Sequence, residues 1–305
     1  MINLPKEVSF WERGWLSSNN ILLRDASQAI LVDTGYWTHA AQTLELVQAA
    51  LGTQPLTGII NTHLHSDHCG GNAHLQSAYP AATTRIPPGH AAYVFDWDPA
   101  ALTYTPTGQH CPQFAATDVI RDGDCFEVGT MLWKAYAAPG HDPNSIVLFC
   151  EASRLLISAD ALWGNGFGVV FPEIEGFNAF DEVESTLDVI EELNPKLVLP
   201  GHGSAFADVS DAITRARSRL EQFRRSPEKH ASYAAKVLLK FKLLEFQKIK
   251  LSDFLFWSDS VQYLKLLFAR YGVAQSFEAW FFDLCLSLEK SSACTIDGEY
   301  IINVN

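Results

Sequence analysis

The segment His63-Leu64-His65-Ser66-Asp67-His68 brings four potential metal ligands together within six consecutive residues. Imidazole and carboxylate groups are ligands for zinc, iron and manganese ions. The run before it, residues 58–62, is short and rich in β-branched side chains, which predicts a strand. Residues two apart in an extended chain project to the same side, so His63 and His65 can reach one ion.

The residues that follow favour a second group of ligands. If a helix begins at Ser66, then Asp67 and His68 are adjacent on it, point in different directions and can serve a second ion nearby. Gly70 and Gly71 allow close approach of the backbone at this helix start. For a single cluster of this kind, a set of surface histidines without a metal is the alternative interpretation.

Other residues of ligand type lie just after predicted strands. His141 stands in Pro139-Gly140-His141, Asp160 ends the strand predicted over 154–159, and His202 stands in Pro200-Gly201-His202-Gly203. Layered α/β folds gather their site residues at such strand ends. These positions therefore favour a metal site over chance surface histidines.

The order of elements predicts an α/β layered domain, because strands alternate with helices. Residues 19–35 predict a hairpin that turns at Arg24-Asp25-Ala26-Ser27. Further strands are expected at 117–121, 125–137, 145–150, 154–159 and 196–199, and helices at 38–51 and 181–193. Two irregular loops, 95–116 and 162–180, are either lids over a site or surface meanders.

These motifs together resemble the metallo-β-lactamase fold superfamily over about residues 15–206. The resemblance implies an α/β fold, a four-layer αββα sandwich with metals at one edge of the paired sheets. A C-terminal helical, winged-helix-like addition is expected after it. The matching pieces, in the family's order, are Val32-Asp33-Thr34-Gly35, Thr62-His63-Leu64-His65-Ser66-Asp67-His68, Pro139-Gly140-His141, Ser158-Ala159-Asp160 and Pro200-Gly201-His202-Gly203.

The resemblance also implies the metal ligands and the reaction. Two divalent ions are expected. Because the ligand set contains Asp and lacks Cys, it does not fix the metal; zinc is favoured, with iron or manganese as alternatives. A hydroxide held between the ions would attack a carbonyl, and Asp67 would orient it and relay its proton. By this resemblance His63, His65 and His141 hold the first ion, Asp67, His68 and His202 hold the second, and Asp160 bridges them.

Asp160 separates the branches of the superfamily. True β-lactamases of this fold have Cys or Ser there, so the chain is more similar to the glyoxalase II, thioesterase and lactonase branches. Lactonases with this pattern carry Tyr three residues after the Asp, where this chain has Trp163. The resemblance therefore favours a small-molecule ester or thioester, with lactones less favoured. A metal-dependent phosphodiesterase or nuclease, and a non-enzymatic sensor that retains the pocket, stay as alternatives.

Residues around the ligands have expected supporting roles. Asp33 and Ser145 are candidates to fix ligand orientation, or alternatively belong only to turns. Trp163, Phe167 and Tyr104 are candidate substrate-binding residues, on their loop positions only.

The charge pattern predicts a domain boundary near residue 207. Residues 1–206 hold 8 Lys and Arg against 23 Asp and Glu, whereas residues 207–305 hold 14 against 12. The apolar spacing of the second part predicts helices at 209–225, 228–248, 253–271 and 276–290, with a strand at 300–304. Its basic stretch, 214–250, is either a solvated face or, as in glyoxalase II, a surface for an anionic thioester. The basic positions quoted for this face are Arg215, Arg219, Arg224, Arg225, Lys229, Lys236 and Lys240.

Composition narrows the expected partners and location. The formal net charge of −13 argues against a general nucleic-acid binder. No run of 18 apolar residues and no secretory signal pattern are present, which predicts neither a membrane span nor export. Six cysteines without a CxxC pair are typical of a reduced, cytoplasmic protein. The expected partner is a small molecule, and the oligomeric state stays open.

Overall fold

The computed structural model describes residues 3–272 and 275–304. Residues 1–2 and 305, at the outer ends of the two predicted domains, and residues 273–274 lie outside the described residues. The first sheet is antiparallel over its first three strands and parallel from there on. In spatial order its strands are β1 (Val8–Trp11), β2 (Asn20–Arg24), β3 (Ala29–Val32), β4 (Gly58–Ile60), β5 (Thr83–Ile86) and β6 (Asp118–Val119). The predicted hairpin is confirmed, since β2 pairs antiparallel with β3 and places Ile21 opposite Val32.

The second sheet has the spatial order β11-β10-β9-β8-β7. Its strands are β7 (Cys125–Val128), β8 (Met131–Ala137), β9 (Ile146–Cys150), β10 (Leu155–Ala159) and β11 (Leu197–Pro200). The expectation of one strand over 125–137 is wrong, because β7 and β8 form a hairpin. The turn falls at Gly129, whose φ of +61° belongs to the left-handed region that favours glycine.

The two sheets pack face to face and each carries helices on its outer face, which confirms the four-layer α/β sandwich. Val32 and Ile60 of the first sheet share a core with Trp133 and Leu148 of the second. On the outer face of the first sheet lie α1 (Ala40–Leu51) and α3 (Asn72–Ala78), with α2 (Ser66–Cys69) between them in the chain. Burial of a side chain such as Leu148 contributes about 1.5–3 kcal/mol relative to its exposure, so this shared core holds the layers together.

The outer face of the second sheet is covered by α7 (Phe180–Leu193) and α8 (Val209–Arg225). The apolar spacing that predicts the first of these helices is confirmed, since Val183, Leu187 and Ile190 are buried against the sheet. The second helix follows the predicted boundary near residue 207 and packs on α7. That boundary stays a prediction.

The two segments predicted as irregular loops contain short helices. Residues 95–116 contain α5 (Tyr104–Thr107) and the end of α4 (Ala91–Asp96). Residues 162–180 contain α6 (Phe171–Glu175). Both segments run past the carboxyl ends of the strands, where the candidate ligands also lie.

The C-terminal region combines helices with a small antiparallel sheet. The helices are α9 (Pro227–Phe246), α10 (Leu251–Ser260), α11 (Gln262–Tyr271) and α12 (Phe277–Lys290), and the strands are β12 (Lys248–Lys250), β13 (Cys294–Asp297) and β14 (Tyr300–Asn303). The expected single helix over 253–271 is wrong. It breaks at Val261, which takes an extended conformation and buries its side chain in the core between the helices.

Candidate metal centre

The histidine-rich segment adopts the expected strand-to-helix geometry. His63 and His65 follow β4, and α2 begins at Ser66. A Cβ atom on Gly70 would lie 2.5 Å from the carbonyl oxygen of Ser66 and 2.6 Å from the backbone nitrogen of Trp37. Only glycine fits there without a shift of the backbone, so the close approach expected at this helix start is confirmed.

The other predicted ligands come from the same edge of the sandwich. His141 follows β8, Asp160 directly follows β10, and His202 follows β11. All three side chains are buried. The strand ends thus bring residues that are up to 139 positions apart, His63 and His202, into one centre.

Three imidazole groups meet at one side of this centre. The Nε2 atom of His63 lies 3.0 Å from Nδ1 of His65, and that Nδ1 atom lies 2.8 Å from Nε2 of His141. Burial lowers the pKa of His63 and of His141, and it lowers the pKa of His65 to about 4. At neutral pH these rings are therefore uncharged and offer nitrogen lone pairs, as metal ligands must.

Carboxylates and two further imidazoles meet at the other side. The Oδ2 atom of Asp67 lies 3.1 Å from Nε2 of His202, and the Oδ1 atom of Asp160 lies 3.4 Å from Nε2 of His68. Burial alone would raise the pKa of both carboxyl groups, but the charges of His68 and His202 outweigh it, and both values are lowered. Both carboxylates are therefore ionised at neutral pH.

Asp160 occupies the position between the two sides. Its Oδ2 atom lies 3.4 Å from Nε2 of His141 and 3.8 Å from Nε2 of His202. Among the described residues, potential ligand atoms within 4.8 Å of one another form overlapping groups. These groups are His63 with His65 and His141, His63 with His68 and Asp160, and Asp67 with His68 and His202. The structure thus brings together all seven residues that the sequence indicates as ligands.

One buried atom shows that a cation fits this centre. The Nε2 atom of His68 is fully buried and, within the described part of the chain, has no hydrogen-bond partner. Burial lowers the pKa of this imidazole, but the charges of Asp160, Asp33 and Asp67 outweigh burial and raise it well above its usual value. The centre therefore favours positive charge at a point where a ring nitrogen without a hydrogen bond faces carboxylates. A divalent ion satisfies both demands.

Partners behind the ligands fix two of the rings. Asp33 accepts hydrogen bonds from the backbone N–H of Thr62 (2.9 Å), from the hydroxyl of Thr62 (2.8 Å) and from Nδ1 of His68 (2.8 Å). Nδ1 of His141 donates to the carbonyl of Val169 at 2.6 Å. In both rings this leaves Nε2 directed at the centre, which is the usual arrangement behind metal-bound histidine.

Ser145 does not share this role. Its hydroxyl donates to the carbonyl of Asp142 at 3.1 Å, so it belongs to the turn. The neighbour Asp142 is the residue that sequence reasoning missed, since its Oδ2 atom lies 3.7 Å from Nε2 of His65. Its place directly after His141 is the signal that points to it.

A cavity of about 110 Å³ opens onto the centre and reaches five of the candidate ligands: His65, Asp67, His141, Asp160 and His202. Trp163 lines it and donates its indole N–H to Oδ1 of Asp160 at 3.2 Å. Trp15, which no sequence pattern singled out, also lines it and stacks on the ring of His202 at 5.4 Å.

The other two candidate substrate-binding residues lie elsewhere. Tyr104 is buried in a separate core, with its hydroxyl 3.1 Å from Sγ of Cys69. Phe167 is buried behind the second sheet and packs on Phe223. Expecting them in the cavity is wrong, because a loop position does not tell which way a side chain faces.

The basic side chains of residues 214–250 make different kinds of contact. Arg215 and Arg219 line a cavity of about 640 Å³ that also includes Trp163 and His202. Arg224 instead pairs with Asp181 and Glu184. Lys240 donates to the backbone carbonyls of residues 293 and 304. Only part of this face is therefore directed at the metal centre.

Within residues 3–272 and 275–304, the helices are either too short or too polar to cross a bilayer.

Known proteins with related sequences include thioesterases. The atrochrysone carboxyl ACP thioesterase of Aspergillus fumigatus is 22% identical over 67% of this chain and 56% of its own length. The acyl-coenzyme A thioesterase MBLAC2 of Homo sapiens is 26% identical over 65% of this chain and 78% of its own. The chain spans about half the length of the fungal relatives that it matches.

A solved structure confirms the fold. A metallo-beta-lactamase family protein from Thermus thermophilus superposes with a TM-score of 0.59 at 20% identity, over 99% of this chain and 100% of that one. The family model for the metallo-beta-lactamase superfamily matches residues 13–202, which contain all seven converging side chains. On this evidence the chain belongs to the metallo-beta-lactamase superfamily.

Proposed function

We propose that this chain is a hydrolase of small-molecule esters or thioesters that depends on two divalent metal ions, with zinc favoured. The observation that carries the proposal is the buried Nε2 atom of His68, which makes no hydrogen bond to the described residues and faces carboxylate oxygens of Asp160 at 3.4 Å and of Asp67 at 3.9 Å. The thioesterase names of the relatives support the choice of bond. Asp160, in place of the Cys or Ser of true β-lactamases, supports it further.

The ligands divide between the two ions. His63, His65 and His141 would hold one ion, Asp67, His68 and His202 would hold the other, and Asp160 lies between the two groups. Divalent ions in such a site supply Lewis acidity and make a bound water more acidic. Nitrogen and carboxylate donors without thiolate suit zinc, and they also accept iron or manganese.

The chain's own groups orient the reaction and move its proton. Asp67 is ionised, lines the cavity and is partly exposed to it, so it can accept a proton there and pass it to the leaving group. Trp163 holds Asp160 through its indole N–H, which fixes the carboxylate between the two sides. Trp15 and Phe171 line the cavity with apolar rings and limit the access of bulk water.

The cavity beside the centre favours an anionic leaving group. Arg215 and Arg219 line it together with Trp163. Arg215 pairs with Asp208 at 3.1 Å, and both side chains are largely exposed, so this pair can open at little cost. A thioester of an anionic carrier such as coenzyme A fits this arrangement better than a lactone does, because Trp163 replaces the tyrosine of the lactonases.

A substrate panel tests the proposal. Zinc-loaded protein, chelator-treated protein and the Asp160→Ala variant are assayed on acyl thioesters, phenyl esters, lactones and bis-p-nitrophenyl phosphate. Asp283→Ala, a change of an exposed carboxylate on α12, is the matched control. We expect the zinc-loaded protein and the Asp283→Ala control to hydrolyse esters or thioesters, and the chelator-treated protein and Asp160→Ala to be inactive. Activity on the phosphodiester alone would instead indicate a phosphodiesterase, and metal binding without turnover would indicate a sensor.

A further inference from the structure

The cavity at the metal centre is smaller than the molecules that the site is proposed to hydrolyse. Its volume is about 110 Å³, whereas sites for small molecules usually measure about 300–1,000 Å³. It can therefore hold the reacting bond and little else. The rest of a substrate must extend into the spaces that adjoin it.

One adjoining space is an apolar chamber of about 330 Å³. We propose that this chamber binds the acyl chain of the substrate, which makes the substrate an ester or thioester of an apolar acid. The proposal rests on the hydrolytic function proposed above. The residues that define the acyl chamber are Trp15, Tyr233, Val237, Phe241, Leu244 and Leu288.

The acyl chamber is continuous with the metal cavity. Trp15, Tyr233, Val237 and Phe241 line both spaces. Trp15 also stacks on the candidate ligand His202, so one ring forms the wall at the junction. An acyl chain whose carbonyl lies at the metal centre can enter the acyl chamber directly.

The acyl chamber follows one stripe of a helix. Positions 233, 237, 241 and 244 of α9 recur at helical spacing and face the same side. Tyr233, Val237 and Phe241 also line the metal cavity, whereas Leu244 lines the acyl chamber only. Leu288 of α12 also lines the acyl chamber and not the metal cavity. A long acyl chain that extends from the metal cavity would therefore contact Leu244 and Leu288.

The lining of the acyl chamber is mostly apolar, whereas the neighbouring cavity carries arginines. The charged residues that line the acyl chamber are Lys236 and Lys240. The ammonium group of Lys240 donates to the backbone carbonyls of Ala293 and Val304, both at 2.7 Å, so its charge is taken up by the protein. The arginine-lined cavity shares Trp15, Tyr233 and Val237 with the acyl chamber. It differs from the chamber by Arg215, Arg219 and Trp163, and the two arginines suit an anionic group.

A series of p-nitrophenyl esters tests the acyl chamber, because the leaving group stays constant while the chain grows from acetate to octanoate. Burial of each methylene should raise kcat/KM about two- to fourfold until the acyl chamber is full. Leu244→Trp fills its far end and should lower the octanoate-to-acetate ratio at least tenfold. Leu286→Trp, a matched change at an exposed position of α12, should leave the ratio as in the unaltered protein.

The outcomes separate this inference from the proposed function. Ester hydrolysis with a flat chain-length profile, or with no effect of Leu244→Trp, would overturn the acyl chamber and leave the hydrolase intact. If no ester is hydrolysed, calorimetric titration of the zinc-loaded protein with octanoate tests whether the acyl chamber binds an apolar chain. Binding that Leu244→Trp weakens and Leu286→Trp leaves unchanged would support the acyl chamber. Because burial of an apolar chain can release little heat near room temperature, the titration is run at two temperatures, and no heat at either would overturn it. Light scattering of Leu244→Trp measures its oligomeric state. A state that differs from that of the unaltered protein would assign the surface around Leu244 to contact with a second copy of the chain, and it would overturn the acyl chamber.

Discussion

The Nδ1 atom of His68 lies 2.8 Å from the Oδ2 atom of Asp33, and both side chains are buried. The aspartate also accepts two hydrogen bonds from Thr62. It thus couples the start of the histidine-rich segment to a candidate ligand in α2. The negative charge also favours a cation at the opposite ring nitrogen.

Asp33→Asn should weaken metal binding about 10- to 100-fold, the usual effect of losing a carboxylate behind a ligating histidine. The amide keeps the shape of the side chain but removes its charge. The measurement is competition for zinc against a chelator of known affinity. Asp283→Asn is the control on an exposed surface, and equal affinities in the two variants would contradict the role given to Asp33.

Asp67→Asn should reduce turnover far more than it reduces fold stability. The carboxylate lines the cavity, and proton transfer by a positioned side chain contributes about 10²- to 10⁴-fold to rate. An amide cannot take up that proton. We expect kcat to fall by about this factor while the thermal unfolding temperature changes little. Unchanged turnover would show that Asp67 does not move the proton.

Gly168→Ala should displace His141. A Cβ atom at this position would lie 2.3 Å from Nδ1 of that ring, which already donates to Val169. We expect a loss of bound metal and of hydrolysis. Gly164→Ala is the matched control in the same loop, since its nearest neighbour would be Phe206 at 3.8 Å. Elemental analysis of both variants checks this, and equal metal content would contradict it.

His230 should make stability depend on pH. Burial, with the nearby charge of Arg219, lowers its pKa to about 4, and its Nε2 atom accepts from the backbone N–H of Val170. The unfolded chain, with a histidine pKa of about 6.5, binds this proton first as pH falls. The free energy of unfolding should therefore fall by about 3 kcal/mol between pH 6.5 and 4 because of this residue.

His230→Gln keeps a hydrogen-bond acceptor and removes the titration. Urea unfolding of both proteins between pH 7 and pH 4 measures the difference. We expect the variant to lose less stability than the unaltered protein over this range. Parallel pH profiles would contradict the buried, neutral state of His230.

The fold could be predicted where local pattern and tertiary structure agree. The hairpin of β2 and β3 and the amphipathic helix α7 follow from their apolar spacing. The break at Val261 could not be predicted, because the helical pattern continues through it and only burial in the core between helices interrupts the helix. The turn at Gly129 had a signal, a glycine between two apolar runs, that a single-strand interpretation passes over.

The convergence of the seven candidate ligands could be predicted because each stands in a short motif after a strand. The residues that line the cavity could not be predicted in this way. Trp15 reaches His202 from the segment before β2, and Tyr233 reaches the cavity from α9, so their roles depend on tertiary packing alone. Tyr104 is expected in the cavity from its loop position, but its side chain is buried in a separate core.

The central claim is that seven side chains hold two metal ions. The most direct test is the metal content of the protein, measured by elemental mass spectrometry after zinc loading and removal of free ion. The account predicts two zinc ions per chain, and about one in each of the single variants His141→Ala and His202→Ala. A zinc content of about one or less per chain in the unaltered protein, or the same content in both variants as in the unaltered protein, would contradict it.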